Sequence, residues 1–153
     1  MQELWKKFPP STIQNHVLKP GGAFRKEYEY EDEGEKPRYF FILNRSPEQD
    51  KQLVIVTATT RIEPRKKARE SDPKVLVEIK PHEYGVLKRR SVVDCASAKL
   101  WEKKKLMDDM EEKRIEPLER LPKDILEKMR FAIRRAKTLP RETKRLVLGD
   151  ETF

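Results

Sequence analysis

From Ala23 to Trp101 the chain offers one extended segment after another, with no helical period between them. "AFRKEYEYEDEGEKPR" (23–38) alternates aromatics with charges, then runs into an acidic tip at 31–35 around Gly34. "RYFFILN" (38–44), "QLVIVTATT" (52–60), "KVLVEIK" (74–80) and "SVVDCASAKLW" (91–101) are short and rich in aromatic and β-branched residues. The turn-forming "RSPEQDK", a basic loop at 61–67 and "PHEYGVLKRR" join them. Strands linked this briefly pair antiparallel, because a parallel pair needs a long crossover. The expected fold is therefore mainly β: a small SH3-like antiparallel β-barrel, with helix only at the C-terminal end.

The flanks read differently. Residues 1–18 contain Pro9 and Pro10 and are expected to be an extension, closed by "KPGG" (19–22) as a turn. The last third changes period. "KKKLMDDMEEK" fits a short helix, and "RIEPLERL", with Pro117 inside it, an extended segment. "PKDILEKMRFAIRRAKTL" is the clearest helix, with Pro122 suited to its first position. Ile125, Leu126, Met129, Ala132, Ile133 and Ala136 form one apolar stripe on it. Pro140 is expected to stop that helix, leaving 141–153 as a tail on a single domain of residues 19–140.

The 153 residues carry 35 basic against 27 acidic side chains, a formal charge of +8. Such an excess favours polyanionic partners, although a Lys/Glu-rich surface also serves solubility. No apolar run reaches membrane-spanning length, and the N-terminal residues lack the apolar stretch of a secretory signal. With Cys95 as the single cysteine, no intrachain disulfide can form, and a reducing cytoplasm is expected.

Several chemistries have no residues to perform them. His16 and His82 are far apart, and no metal-ligand spacing recurs. Neither a phosphate-cradling glycine pattern nor a serine-nucleophile motif is present, so neither a cofactor nor a metal is expected. His82, with Glu83 beside it, is either an acid–base residue or simply an exposed turn histidine; Cys95 is expected to be buried and inert. One reaction asks for less. RNA carries its own nucleophile, the 2′-hydroxyl, so a protein need only align it, move protons and neutralise phosphate oxygens. The stretch "LVIVTATTRIEPRKK" (53–67) puts hydroxyls beside cations and supplies such groups.

The order of segments resembles the MazF/PemK family of toxin endoribonucleases from bacterial toxin–antitoxin systems. "KPRYFFIL" stands where that family has an arginine–proline pair entering an apolar strand. "VIVTATT" matches a strand ending in a hydroxyl, "VEIKPHEYGVLKRRSVVDC" a "V-x-[IL]-x…YG…SVV" stretch, and "LPKDILEKM" the terminal amphipathic helix. The resemblance spans residues 19–139. It implies an SH3-like barrel with C-terminal helices, usually a homodimer, that cuts single-stranded RNA without a metal and leaves a 2′,3′-cyclic phosphate. An acidic antitoxin protein is the implied partner.

Carried onto this chain, the catalytic positions are Lys36, Arg38 and Thr60. Lys36 replaces the family arginine and lacks its planar fork; Arg38, two residues on, shares its face of an extended strand. Arg61, Arg65, Lys66, Lys67, Lys88, Arg89 and Arg90 are the implied RNA-binding cations. Two other readings stay open: an inactive barrel holding RNA or an acidic protein, and a gyrase-directed toxin of the same fold. The acidic tip at 31–35 is either a screen folded over the basic loop or an ordinary solvated turn.

Overall fold

The extended segments pair antiparallel, the segment 91–101 dividing into two strands. The structure, a computed structural model, describes residues 4–30 and 34–149, with side chains over 4–26 and 38–149. Strands β1 (Ala23–Tyr30), β2 (Gly34–Ile42) and β3 (Gln52–Thr59) form the centre of the sheet. Then come helix α2 (Ile62–Ala68), which α1 (Pro10–Val17) precedes in the chain, and strands β4 (Leu76–Ile79), β5 (Ser91–Asp94) and β6 (Lys99–Glu102). Helix α3 (Lys103–Glu111), strand β7 (Glu116–Leu118) and helices α4 (Lys123–Arg135) and α5 (Arg141–Leu148) complete the order. The seven-stranded sheet runs β4-β5-β3-β2-β1-β7, and β6 pairs with β3 beside β5.

β5 and β6 are two halves of one line along β3. Ala58 faces Val93, but three residues earlier Ile55 faces Lys99, six residues later. The three extra residues are the 3-10 turn Cys95–Ser97, whose first amides are served by Asp94: its carboxylate accepts from the Ala96 N–H at 3.2 Å. Cys95 fills the bend from inside and is fully buried, which drives its thiol pKa upward and keeps it in the unreactive form. β2 begins earlier than the aromatic run suggests, because every residue from Ala23 to Tyr30 has a partner between Gly34 and Phe41. Residues 31–33, between β1 and β2 in the chain, lie outside the described residues, and with them the acidic-screen reading.

Both faces of the sheet are covered, which explains why "LVIV" is apolar without alternation. Ala23, Phe41, Val54 and Val56 face a cluster completed by Ile125, Met129 and Ile133 of α4 and Val147 and Leu148 of α5. That cluster also takes Val77 of β4, and Leu118 of β7 packs against it, so the sheet curls round one core. Among the described residues no ladder joins β4 to β7, and the seam between them stays open. On the opposite face Phe24, Phe40, Ile42, Leu53 and Ile55 meet Ile13 and Val17 of α1 and Leu106 and Met110 of α3. Phe40 stacks on Phe24 at 5.4 Å and tilts against Trp101 at 5.0 Å.

Three stretches differ from expectation. The N-terminal segment is no loose extension over 10–17: Pro9 caps α1, Pro10 starts it, and Ile13 and Val17 are buried. The basic loop is helix α2. The tail holds α5, capped by Pro140, which ends nothing in α4, already finished at Arg135. Pro122 likewise caps α4 rather than occupying its first turn. Among the described residues no helix is long and apolar enough to cross a membrane.

Candidate functional site

Arg38 is half-buried on β2, opposite Lys26 of β1. It lies two and four residues before Phe40 and Ile42, so strand alternation puts it on their face, beneath α1 and α3. Lys26 shows how that face is used: its ammonium binds Asp109 of α3 at 2.7 Å and sits 5.6 Å from the Trp101 ring centre. Lys36 is on the same strand, opposite Tyr28; its side chain lies outside the described residues.

The threonines divide between the strand and its exit. Thr57 pairs with Phe40 across the β2–β3 ladder, and its Oγ1 donates to the Tyr39 carbonyl at 2.8 Å. Thr59 is the last residue of β3, and its Oγ1 accepts from the Arg61 N–H at 3.1 Å. Counting on by twos from buried Leu53 and Ile55, Thr57 and Thr59 share the Arg38 face. Thr60 is one residue past the strand, exposed, in a bend where its carbonyl accepts from the Ile62 N–H at 3.0 Å. The fold thus brings Arg38, Thr57 and Thr59 to one side of adjacent strands, with Thr60 at the rim.

Next to that rim lies a charge cluster. Arg65 Nη1 and Arg69 Nε both donate to Asp94 Oδ2, at 3.1 and 2.9 Å. Ser97 Oγ donates to the same oxygen at 3.0 Å and accepts from Arg69 Nη2 at 3.1 Å. Lys66 reaches Glu78 Oε1 at 2.7 Å, and Arg90 donates to Glu78 Oε2 at 2.8 Å. These two hydrogen-bonded cations, Lys66 above all, hold the Glu78 carboxyl below its usual pKa. Two carboxylates thereby hold four cations, and a net positive charge remains.

Arg61 is exposed at the start of α2, and Lys67 is exposed on it. Lys88 turns back to the Gly85 carbonyl at 2.9 Å, and Arg89 is exposed beside it. Of the residues implied for RNA binding, the fold gathers Arg65, Lys66 and Arg90 round internal acids and leaves Lys88 and Arg89 on the neighbouring turn. Arg69, Asp94 and Glu78 were missed by the sequence reading. Arg69 follows Arg65 by four, a signal visible only once 62–68 is read as helical.

His82 is exposed in the turn after β4, where the adjacent Glu83 carboxylate accepts from the Lys80 N–H at 2.8 Å. Tyr84, from the same "HEYG", is a core residue: buried, edge-on to Phe41, its hydroxyl donating to the Glu119 carbonyl. Burial raises its phenol pKa, with the Glu119 charge adding to the shift.

No protein-family model and no curated protein sequence matches the chain. A solved structure does: the crystal structure of MazE–MazF from Deinococcus radiodurans superposes with a TM-score of 0.51, at 18% sequence identity. The match covers 76% of this chain and 92% of that one. What this likeness, the antiparallel sheet and the C-terminal helices establish together is that the chain has a MazF-like fold.

Proposed function

We propose that this protein is the toxin of a toxin–antitoxin pair and a metal-independent endoribonuclease acting on single-stranded RNA. The observation that carries the reading is a MazF-like fold in which Arg38 and a run of threonine hydroxyls occupy adjacent strands beside a basic helix. The 2′-oxygen attacks phosphorus, the P–O5′ bond breaks, and the products are a 2′,3′-cyclic phosphate and a 5′-hydroxyl. The 2′-hydroxyl gives up a proton and the departing 5′-oxygen gains one. Arg38 neutralises the phosphate oxygens as charge builds on them, Lys36 adds a second cation, and Thr60 donates a hydrogen bond. Arg61, Arg65, Lys66, Lys67, Lys88, Arg89 and Arg90 attract the flanking backbone.

The MazE–MazF composition of the solved neighbour supports an antitoxin-like protein as the partner, the +8 charge of this chain favours an acidic one, and a homodimer as the working unit is part of the same proposal. Lysine at position 36, where the resemblance calls for arginine, favours one second reading: a fold of this kind that binds RNA without cutting it.

Long mixed-sequence RNA incubated with the protein in EDTA separates the two. Fragments with cyclic-phosphate ends are expected, with Arg38→Ala lowering the cleavage rate by at least ~100-fold, the scale for losing one preorganised charge donor. Thr60→Ala and Thr59→Ala, compared side by side, identify the working hydroxyl. Intact RNA with measurable binding supports the second reading, and neither cleavage nor binding removes both.

A further inference from the structure

α2 is attached to the protein in an unusual way. None of its seven residues is buried, and it packs chiefly against β5. Its aliphatic side chains are Ile62, half-buried, and the exposed Pro64 and Ala68. What ties it down is charge: Arg65 and Arg69 to Asp94, whose side chain is 6% exposed, and Lys66 to Glu78. Ion pairs yield to competing ions and, where exposed as Lys66–Glu78 is, weaken in salt; the pairs on the buried Asp94 are screened less, and buried apolar contact is not screened at all.

Asp94 is an incomplete match for two guanidinium groups. Its Oδ1 accepts from the Ala96 N–H, so both arginines crowd onto Oδ2, which Ser97 also uses. A phosphodiester offers two non-bridging oxygens, each able to take a planar guanidinium. We infer that residues 61–69 form a detachable basic arm, clipped to the sheet by Asp94 and Glu78 in the isolated protein and released onto the phosphates of a bound single-stranded RNA. This rests on the RNA-directed reading of the basic surface. It assigns two acids of the sheet, Asp94 and Glu78, as groups that hold those cations in check.

Hydrogen exchange on the full-length chain tests the arm, with a 20-nucleotide oligouridylate as probe. In 50 mM KCl, amides 62–69 are expected to exchange at least tenfold faster in Asp94→Asn than in the wild type, while α4 amides are unchanged. Asparagine keeps the oxygen that serves Ala96. Should that variant fail to fold, Glu78→Gln makes the same comparison from the other carboxylate. In the wild type, 500 mM KCl and saturating oligouridylate should each accelerate the same amides. Unchanged protection across 62–69 in salt and in both variants overturns the clip. Oligouridylate that binds yet slows exchange there overturns release. An oligouridylate that does not bind at all removes RNA as the occupant, and the RNA reading with it, while salt and the variants still decide whether the clip exists. Release by a 20-residue polyglutamate but not by RNA reassigns the arm to an acidic protein.

Discussion

Glu78 is a residue whose pH dependence can be worked out from its neighbours. Lys66 and Arg90 depress its pKa, so its contribution to stability is complete above the ordinary carboxylate range and disappears as pH falls through the lowered value. The difference in urea midpoint between wild type and Glu78→Gln should therefore be largest near neutrality and shrink below about pH 4, the region where carboxylates protonate. A difference that is the same at pH 3 and pH 7 means the two cations do not stabilise it. Asp94 shows why such pairs escape a reader of the sequence. "SVVDCAS" reads as an apolar strand with one stray acid, and only the fold brings Arg65, 29 positions earlier, against it.

At the scale of elements, proline was the sign most easily misread. Pro9, Pro122 and Pro140 each cap a helix, yet only the one at 122 precedes an apolar stripe strong enough to mark its helix in the sequence. α1 and α5 are eight residues long and look like interrupted termini until their buried faces are seen. α2 has no such face, and no periodicity could have revealed it. The strands were legible because β-branched and aromatic runs between turn signals have few alternatives. The KPGG turn carries a sharper constraint than its composition suggests. A Cβ on Gly22 would lie 1.8 Å from the Val17 carbonyl oxygen, at the point where α1 hands over to β1. Gly22→Ala should destabilise the protein by at least about 2 kcal/mol, the range for forced backbone rearrangement, read as a shift in denaturant midpoint. A neutral substitution there means that α1 can move off the sheet freely.

For the whole molecule, the +8 charge sets a measurable expectation. If about three phosphates of a single strand are neutralised, raising KCl from about 50 to 200 mM should weaken oligouridylate binding by roughly twentyfold. Salt-independent binding would mean that bases rather than backbone are being read. The strands that carry the candidate site were visible in the sequence and the identity of the working hydroxyl was not, because Thr57, Thr59 and Thr60 differ by which way a strand turns its side chains and where it ends.

β1 has β2 on one side and β7 on the other, and His16 of α1 bonds the Leu118 carbonyl across 102 residues. On a ribosome adding about 5–20 residues each second, the N-terminal helix must wait about 5–20 s for that carbonyl to be synthesised. A nascent chain released before β7 leaves one edge of β1 unpaired and lacks α4 and α5, which complete the core. Prematurely terminated products should fail to fold cooperatively and be cleared by proteases.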